Sequence, residues 1–416
     1  MTNEIKKKNL FRRIWLYFAI FGPGLITASA DNDAPGIATY SMVGSFYQYK
    51  FLWLIVVITF GEVIIQEIAA RLGAVTGKGT ADLIREKFGV KITLFAMICL
   101  LIANMGTTIA QFAGIAAGGE LIGVSRYIIV PVISVIIAFL ALRGTYKYME
   151  KFLLVLCLSA LSYVITVILI KPDFSEIIRN TLQPNISMDK NYILAMLATI
   201  GTTITPWGIF YMQASVVDKG VDIKDYPSTT RLDVIFGATW GNIISAFIII
   251  CTGATLFVNG IKVDEAGQAA LALAPLAGEW ATLLFTIGLL GASILAAMVL
   301  PLSTAYAITE AFGWERGLDQ SKKNAPVFYG LYLGVIVFSA LFVLIPGMPL
   351  FQIMWLSQTV NAILLPILLI LILKLSNDKE ILGKYTNHKW QNYFAIGLTI
   401  MIVLITLALF ILQINN

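Results

Sequence analysis

The chain has 416 residues, of which 58% are hydrophobic and only 13% charged, with a formal net charge of +5. Soluble domains carry about a quarter of their residues as charges, so a water-soluble globular protein is excluded and an all-α, multi-pass membrane protein is expected. The positive balance comes with neither a basic tail nor an aromatic-basic motif, which excludes nucleic acid as a partner and leaves the lipid bilayer.

Apolar runs near the roughly 20 residues that a helical span requires predict eleven spans, at about 15–45, 51–70, 93–118, 127–142, 152–170, 191–217, 233–258, 277–309, 326–345, 349–373 and 391–413. The basic N-terminus runs straight into the first of these, so no cleavable signal peptide is expected. Within that span, Asp31-Asn32-Asp33-Ala34-Pro35-Gly36 interrupts an otherwise apolar stretch, and Pro35 has no backbone N–H to give. Lipid neither solvates charge nor satisfies unwound backbone, so such a segment must face a cavity, a partner or an ion.

On the second span Glu62 and Gln66 share a helix face, and Glu67 and Arg71 repeat the spacing as a structural pair. Glu62 has no basic residue near it, and is read either as protonated within the bundle or as lining the ion path. Cys99, Cys157 and Cys251 are odd in number, lie in apolar runs and read as core residues. The sixth span carries a second break, Gly201-Thr202-Thr203-Ile204-Thr205-Pro206-Trp207-Gly208. On the tenth, Gln358 and Asn361 offer neutral oxygens to a central cavity, or hydrogen bonds between helices. Neither 172–190 nor the other loops hold a folded soluble domain.

Five spans separate the two breaks, which predicts a 5+5 inverted repeat over about 13–170 and 191–373 with an added helix at about 391–413, all in one membrane domain, 1–416. Of the 29 basic residues, 23 fall in the pieces that are cytoplasmic if the N-terminus is inside. The positive-inside rule then places the N-terminus in the cytoplasm and the C-terminus outside the cell membrane.

At paired breaks, exposed carbonyls and a carboxylate can coordinate a cation. Asp33 is the leading ligand. Asp31 comes second, as a holder of one of the ion's waters or as a vestibule wall, because two ionised carboxylates in one dry pocket repel. The sixth span offers the hydroxyls of Thr202, Thr203 and Thr205, of which Thr203 is expected to bond back to its own helix. These are hard oxygen donors. The only histidine, His388, lies in a predicted cytoplasmic loop.

These residues resemble the Nramp family of divalent metal transporters, which share the LeuT fold. Gly22-Pro23-Gly24 with Asp33 nine residues beyond matches the family's first-helix GPG...DPGN pattern, and Ala70-Arg71-Leu72-Gly73-Ala74-Val75-Thr76-Gly77 resembles its ARLGxVTG stretch. Leu273-Ala274-Pro275-Leu276, Ala311-Phe312-Gly313-Trp314 and Leu356-Ser357-Gln358 through Pro366 are similar to further landmarks. The departures concern the site. Gly36 stands where the family has its asparagine ligand, Thr205 replaces the methionine of A-x-x-MPHN, and Trp207 replaces its histidine. Thr108 and Gln111 match the paired acids of span 3, and no basic residue lies between Ala325 and Pro346 in span 9.

Loss of the soft ligand and of a side-chain ligand suits Mg²⁺, which keeps several of its waters, and the pattern resembles the Nramp-related magnesium transporters. The resemblance implies a carrier or uniporter that imports partly hydrated Mg²⁺ and tolerates Mn²⁺ by alternating access, with weak or no proton coupling. Asp33, Thr202, Thr205, Gly36, Asp31 and Gln358 would surround the ion, with Glu62, Thr203, Thr108, Gln111 and Trp207 beside it or along its path. No resident cofactor is implied, and the oligomeric state stays open, a monomer being compatible. The alternatives are a proton-coupled Mn²⁺ or Fe²⁺ transporter, a LeuT-fold organic-solute carrier whose substrate carboxylate Asp33 would repel, and a non-transporting membrane sensor. No nucleophile-base pair or nucleotide loop points to an enzyme.

Overall fold

The computed structural model describes residues 32–143, 158–221, 223, 226, 230–317 and 320–414. Among these residues the regular structure is entirely helical. The principal helices are α1 Ala34–Tyr47, α2 Leu52–Thr76, α3 Thr80–Leu121, α4 Arg126–Arg143, α5 Leu161–Ile170, α6 Phe174–Leu182, α7 Lys190–Thr203, α8 Pro206–Asp218, α9 Thr230–Thr255, α10 Ala281–Phe312, α11 Pro326–Val343, α12 Leu350–Ser376 and α13 Lys389–Ile414. Among the described residues eight stretches are long and apolar enough to cross a bilayer, counting α7 with α8 as one, and Arg126–Leu142 and Leu158–Ile170 are shorter apolar helices.

Helix α1 begins at Ala34, so the break in the first span closes earlier than Gly36. Pro35 and Gly36 lie in the first turn, where a missing N–H costs nothing because the first turn has no intrahelical acceptors to meet. The preceding half of this span, with Asp31, lies outside the described residues, as does Cys157. Cys99 and Cys251 are buried free thiols, as expected of core residues.

The stretch 71–91, between the spans expected at 51–70 and 93–118, is mostly helical. Helix α2 continues to Thr76, and α3 starts at Thr80 and turns at Gly89, whose φ of 77° only glycine adopts without strain. Charged side chains there hold the surface: Lys78 pairs with Glu86 at 2.7 Å, and Lys87 reaches Asp378 at 2.5 Å. That bond holds the Asp378 carboxyl below the usual range. The 172–190 piece contains α6, with Ile177 buried and Phe174, Ile178 and Leu182 exposed.

The core runs through one continuous cluster of buried apolar residues. Helix α3 packs along both α10 and α12, and α12 also packs against α7, while α1 lies against α9, α12, α7 and α3. Burial sorts the spans by role. In the α7–α8 span 94% of the apolar window is buried in protein, against 28% in α13, whose Ile400, Leu404, Leu407 and Ile411 stay exposed as lipid-facing side chains would.

The Glu67–Arg71 pair anticipated from its spacing forms at 3.2 Å. It anchors a wider junction: Tyr226 Oη donates to Glu67 Oε1 at 3.1 Å and Gln391 Nε2 to Oε2 at 3.1 Å, while Arg71 donates to the Tyr385 carbonyl at 2.6 Å and to Asn387 Oδ1 at 2.7 Å. Both charged side chains are under one-tenth exposed. Removing Arg71 leaves the buried Glu67 with the half-exposed Arg231, 4.0 Å away, as its ionic partner, so Arg71→Met is expected to destabilise the fold by about 3 kcal/mol. A thermal unfolding midpoint in detergent equal to wild type would show that the junction contributes nothing.

Candidate cation site

Asp33 is the N-cap of α1. Its backbone is extended (φ −76°, ψ −178°), its side chain is 3% exposed, and Oδ1 accepts the Gly36 N–H at 2.9 Å. A carboxylate is well placed at a helix N-terminus, where unsatisfied N–H groups and the helix dipole both favour negative charge. Oδ2 accepts from Gln111 Nε2 of α3. Gln111, expected only as a neutral replacement for an acid, is therefore a direct partner of the leading ligand. The cap is seated by close packing: a Cβ on Gly114 of α3 would run into Ala34 Cβ and Ser293 Oγ of α10. Gly36 lies in the first turn of α1, where its N–H serves the Asp33 cap.

The break in the sixth span falls at Ile204–Thr205, between α7 and α8. Four residues beyond Thr202 stands Pro206, which has no N–H, so the Thr202 carbonyl cannot be tied off within its own helix. Thr205 caps α8 from an extended backbone (φ −88°, ψ 133°), and its hydroxyl makes no capping bond to that helix. Both residues are about 2% exposed or less. Thr203 Oγ1 donates to the Thr199 carbonyl at 2.9 Å, the back-bonding expected of it, and lies 2.8 Å from Tyr40 Oη. Tyr40 thus ties α1 to the end of α7.

Gln358 brings its backbone to the same place. A Cβ on Gly201 would collide with the Gln358 carbonyl oxygen and the Ala362 nitrogen, so only glycine lets α7 approach α12 this closely. The Gln358 side chain is engaged, donating to Ser357 Oγ at 2.9 Å and accepting from Asn361 at 3.0 Å. Thr108 bonds back to the Asn104 carbonyl at 2.7 Å. Trp207 is fully buried, and its carbonyl accepts from Ser303 Oγ at 3.0 Å. An indole N–H is a donor only, so it cannot relay a proton as an imidazole does.

Glu62 is 2% exposed and accepts from Asn242 Nδ2 of α9 at 2.5 Å. One turn along α9, Ser245 Oγ donates to Asn32 Oδ1 at 3.1 Å, and Asn32 Nδ2 donates to the Gly241 carbonyl at 3.1 Å. Sequence reasoning missed this clamp on the residue preceding Asp33. The signal was available, since Asn242 and Ser245 stand three apart on one face of an apolar helix. Among the described residues no three of His, Cys, Asp and Glu come together, and Asp33 is bonded by the Gly36 N–H and the Gln111 amide.

Comparison with known proteins gives this arrangement a setting. The family model described as "Natural resistance-associated macrophage protein-like" (Nramp) matches residues 24–412. A divalent metal cation transporter named MntH from Pectobacterium carotovorum is 25% identical over 402 residues, covering 95% of this chain and 94% of that relative. The manganese transporter of Eremococcus coleocola superposes with a TM-score of 0.70 at 21% identity, over 94% of this chain and 85% of its own. MhsT, solved with L-phenylalanine, superposes with a TM-score of 0.61 at 15% identity, over 93% of this chain and 97% of its own. At these identities the superpositions show the fold, and it is the LeuT fold. Agreement with the family model from residue 24 to residue 412 is more than a shared motif could sustain, and the chain belongs to the Nramp family of membrane transporters.

Proposed function

We propose that the chain carries divalent cations across the membrane, and that it imports partly hydrated Mg²⁺, tolerating Mn²⁺, by alternating access with weak or no proton coupling. The observation that carries the reading is a buried carboxylate, Asp33, held at a helix N-cap by a neutral amide. The Thr202 carbonyl, Thr205 hydroxyl and Gln358 are the remaining hard donors of the site. Such a set gives no preference to a soft transition metal, and Mg²⁺ is bound in proteins by one or two carboxylates while keeping its waters. The names of the MntH relative and of the manganese transporter support a divalent cation as the substrate class. In this reading the two breaks belong to a 5+5 inverted repeat, with the N-terminus cytoplasmic and the C-terminus external.

With neutral residues at positions 108 and 111 and a tryptophan at position 207, the inward-negative membrane potential would drive uptake. It favours a divalent ion by about 4.6 kcal/mol per 100 mV, twice the value for one charge. In proteoliposomes under a potassium diffusion potential, Mg²⁺ influx is expected to rise steeply with voltage while the lumen stays at constant pH. A proton-coupled Mn²⁺ carrier is the second reading, favoured by the name of the manganese transporter. Lumenal acidification that tracks Mn²⁺ influx would establish it in place of the first.

A further inference from the structure

Helix α6, Phe174–Leu182, lies away from the site, in the segment that joins α5 to the half-helix α7. Asp173 caps it, accepting the Ser175 N–H at 2.8 Å. Its side chains sort into three sectors. Ile177 is buried and belongs to the continuous apolar core, and Glu176, Asn180 and Thr181 on the same side are half-buried, where α6 packs against α2. Phe174, Ile178 and Leu182 follow one another at four-residue intervals, sweep about 80° of the helix surface, and are 57%, 57% and 74% exposed. Ser175 and Arg179, also exposed, take the next sector round.

Three large apolar side chains on one stripe are unfavourable in water, and the chain itself limits where they can go. Only residues 171–173 separate α6 from α5, so its first residue lies within about 14 Å of Ile170. The last turns of α5 expose Ile165, Ile168 and Leu169, as the lipid-facing side of a membrane helix does. Lys171, with φ 46°, turns the chain out of α5 in a conformation that non-glycine residues seldom adopt. The exposed stripe of α6 therefore begins where the lipid-facing surface of α5 ends.

Two quantities narrow the occupant. From Lys171 to Lys190 the three basic residues, Lys171, Arg179 and Lys190, are matched by three acidic ones, Asp173, Glu176 and Asp189. An anionic headgroup thus gains nothing over a zwitterionic one. A stable contact with a second copy takes about 800 Å² from each partner, whereas a helix of 9 residues is only about 14 Å long. We propose that α6 is a membrane-surface helix whose partner is the phospholipid bilayer: Phe174, Ile178 and Leu182 enter the boundary between headgroups and acyl chains, while Ser175 and Arg179 stay in water. Helices of this kind bury their apolar face by about 5–10 Å.

The test is a nitroxide placed by single cysteine substitution at 174, 178 or 182 and at 175 or 179 of the full chain. Wild-type protein, in which Cys99 and Cys251 are buried, gives the labelling background. In phosphatidylcholine proteoliposomes, labels at 174, 178 and 182 are expected to collide with oxygen in preference to nickel ethylenediaminediacetate and to lie about 5–10 Å deeper than those at 175 and 179, which should show the reverse preference. Adding phosphatidylglycerol should leave the depths unchanged. Equal access of the nickel complex to 178 and 179 places the stripe in water and overturns the proposal. Poor access of both reagents to 178 overturns it in favour of a protein contact, and a depth seen only with the anionic lipid overturns the apolar seat. If Phe174→Cys fails to fold, the label at 182 reads the same stripe and decides.

Discussion

Asp33→Asn is expected to lower Mg²⁺ affinity and influx by a factor of about 10² to 10³, corresponding to roughly 3–4 kcal/mol for a buried charge removed from a divalent partner. The substitution is chosen because it separates charge from fold. Asparagine caps helices as well as aspartate does, so the bond to the Gly36 N–H at 2.9 Å can persist. Its new amide nitrogen would face Gln111, whose Oε1 has no donor among the described residues and can turn to accept it. The helix start and the thermal midpoint should therefore be close to wild type, while binding is lost. Asp33→Ala removes charge and cap together and should add about 1 kcal/mol of destabilisation to the same loss. Isothermal titration with Mg²⁺ and influx into proteoliposomes check both. Retention of wild-type influx by Asp33→Ala would falsify the assignment of the site.

Gly201→Ala is expected to be the most damaging single methyl group in the protein. The added carbon would meet the Gln358 carbonyl oxygen and the Ala362 nitrogen, both backbone atoms that cannot swing aside as a flexible side chain could. Overpacking of this kind costs about 1–3 kcal/mol or more. Here it also pushes α7 away from α12 at the turn before the break, moving the Thr202 carbonyl and Thr205 relative to Gln358. We expect a lower unfolding midpoint in detergent together with a loss of influx that Gly330→Ala, a substitution in open space on α11, does not produce. Equal influx in the two variants would show that the approach of α7 to α12 does not hold the site.

Much of the architecture was legible before any coordinates. The helices found at 126–143, 230–255, 326–343, 350–376 and 389–414 fall within a few residues of the runs expected, because the demand that a span be apolar for about 20 residues is met locally. The break in the sixth span and the helix start at Ala34 were legible for the same reason, since Pro35 and Pro206 remove backbone donors wherever they stand. The errors are at boundaries. The helices of the second and third spans run on into 71–91 because charged residues can coat a helix surface beyond the apolar run, and the helix after the first break starts at Ala34 because proline is tolerated in a first turn.

The site divides along the same line. Residue type alone indicated Asp33 and the hard donors of the sixth span, and the pattern of the family indicated which soft ligand and which histidine are missing. By itself, then, the sequence determined a membrane-spanning helical chain, the interruption of the sixth span and the family. Only the tertiary structure decided that Gln111 holds the Asp33 carboxylate, that α9 clamps Asn32, that Gly36 serves the cap, and that α6 leaves Phe174, Ile178 and Leu182 exposed. The reason is physical. Hydropathy and helix breaking act within a few residues, whereas the partner of a buried amide is chosen by which helix face is brought against it, 78 residues away for Gln111 and Asp33.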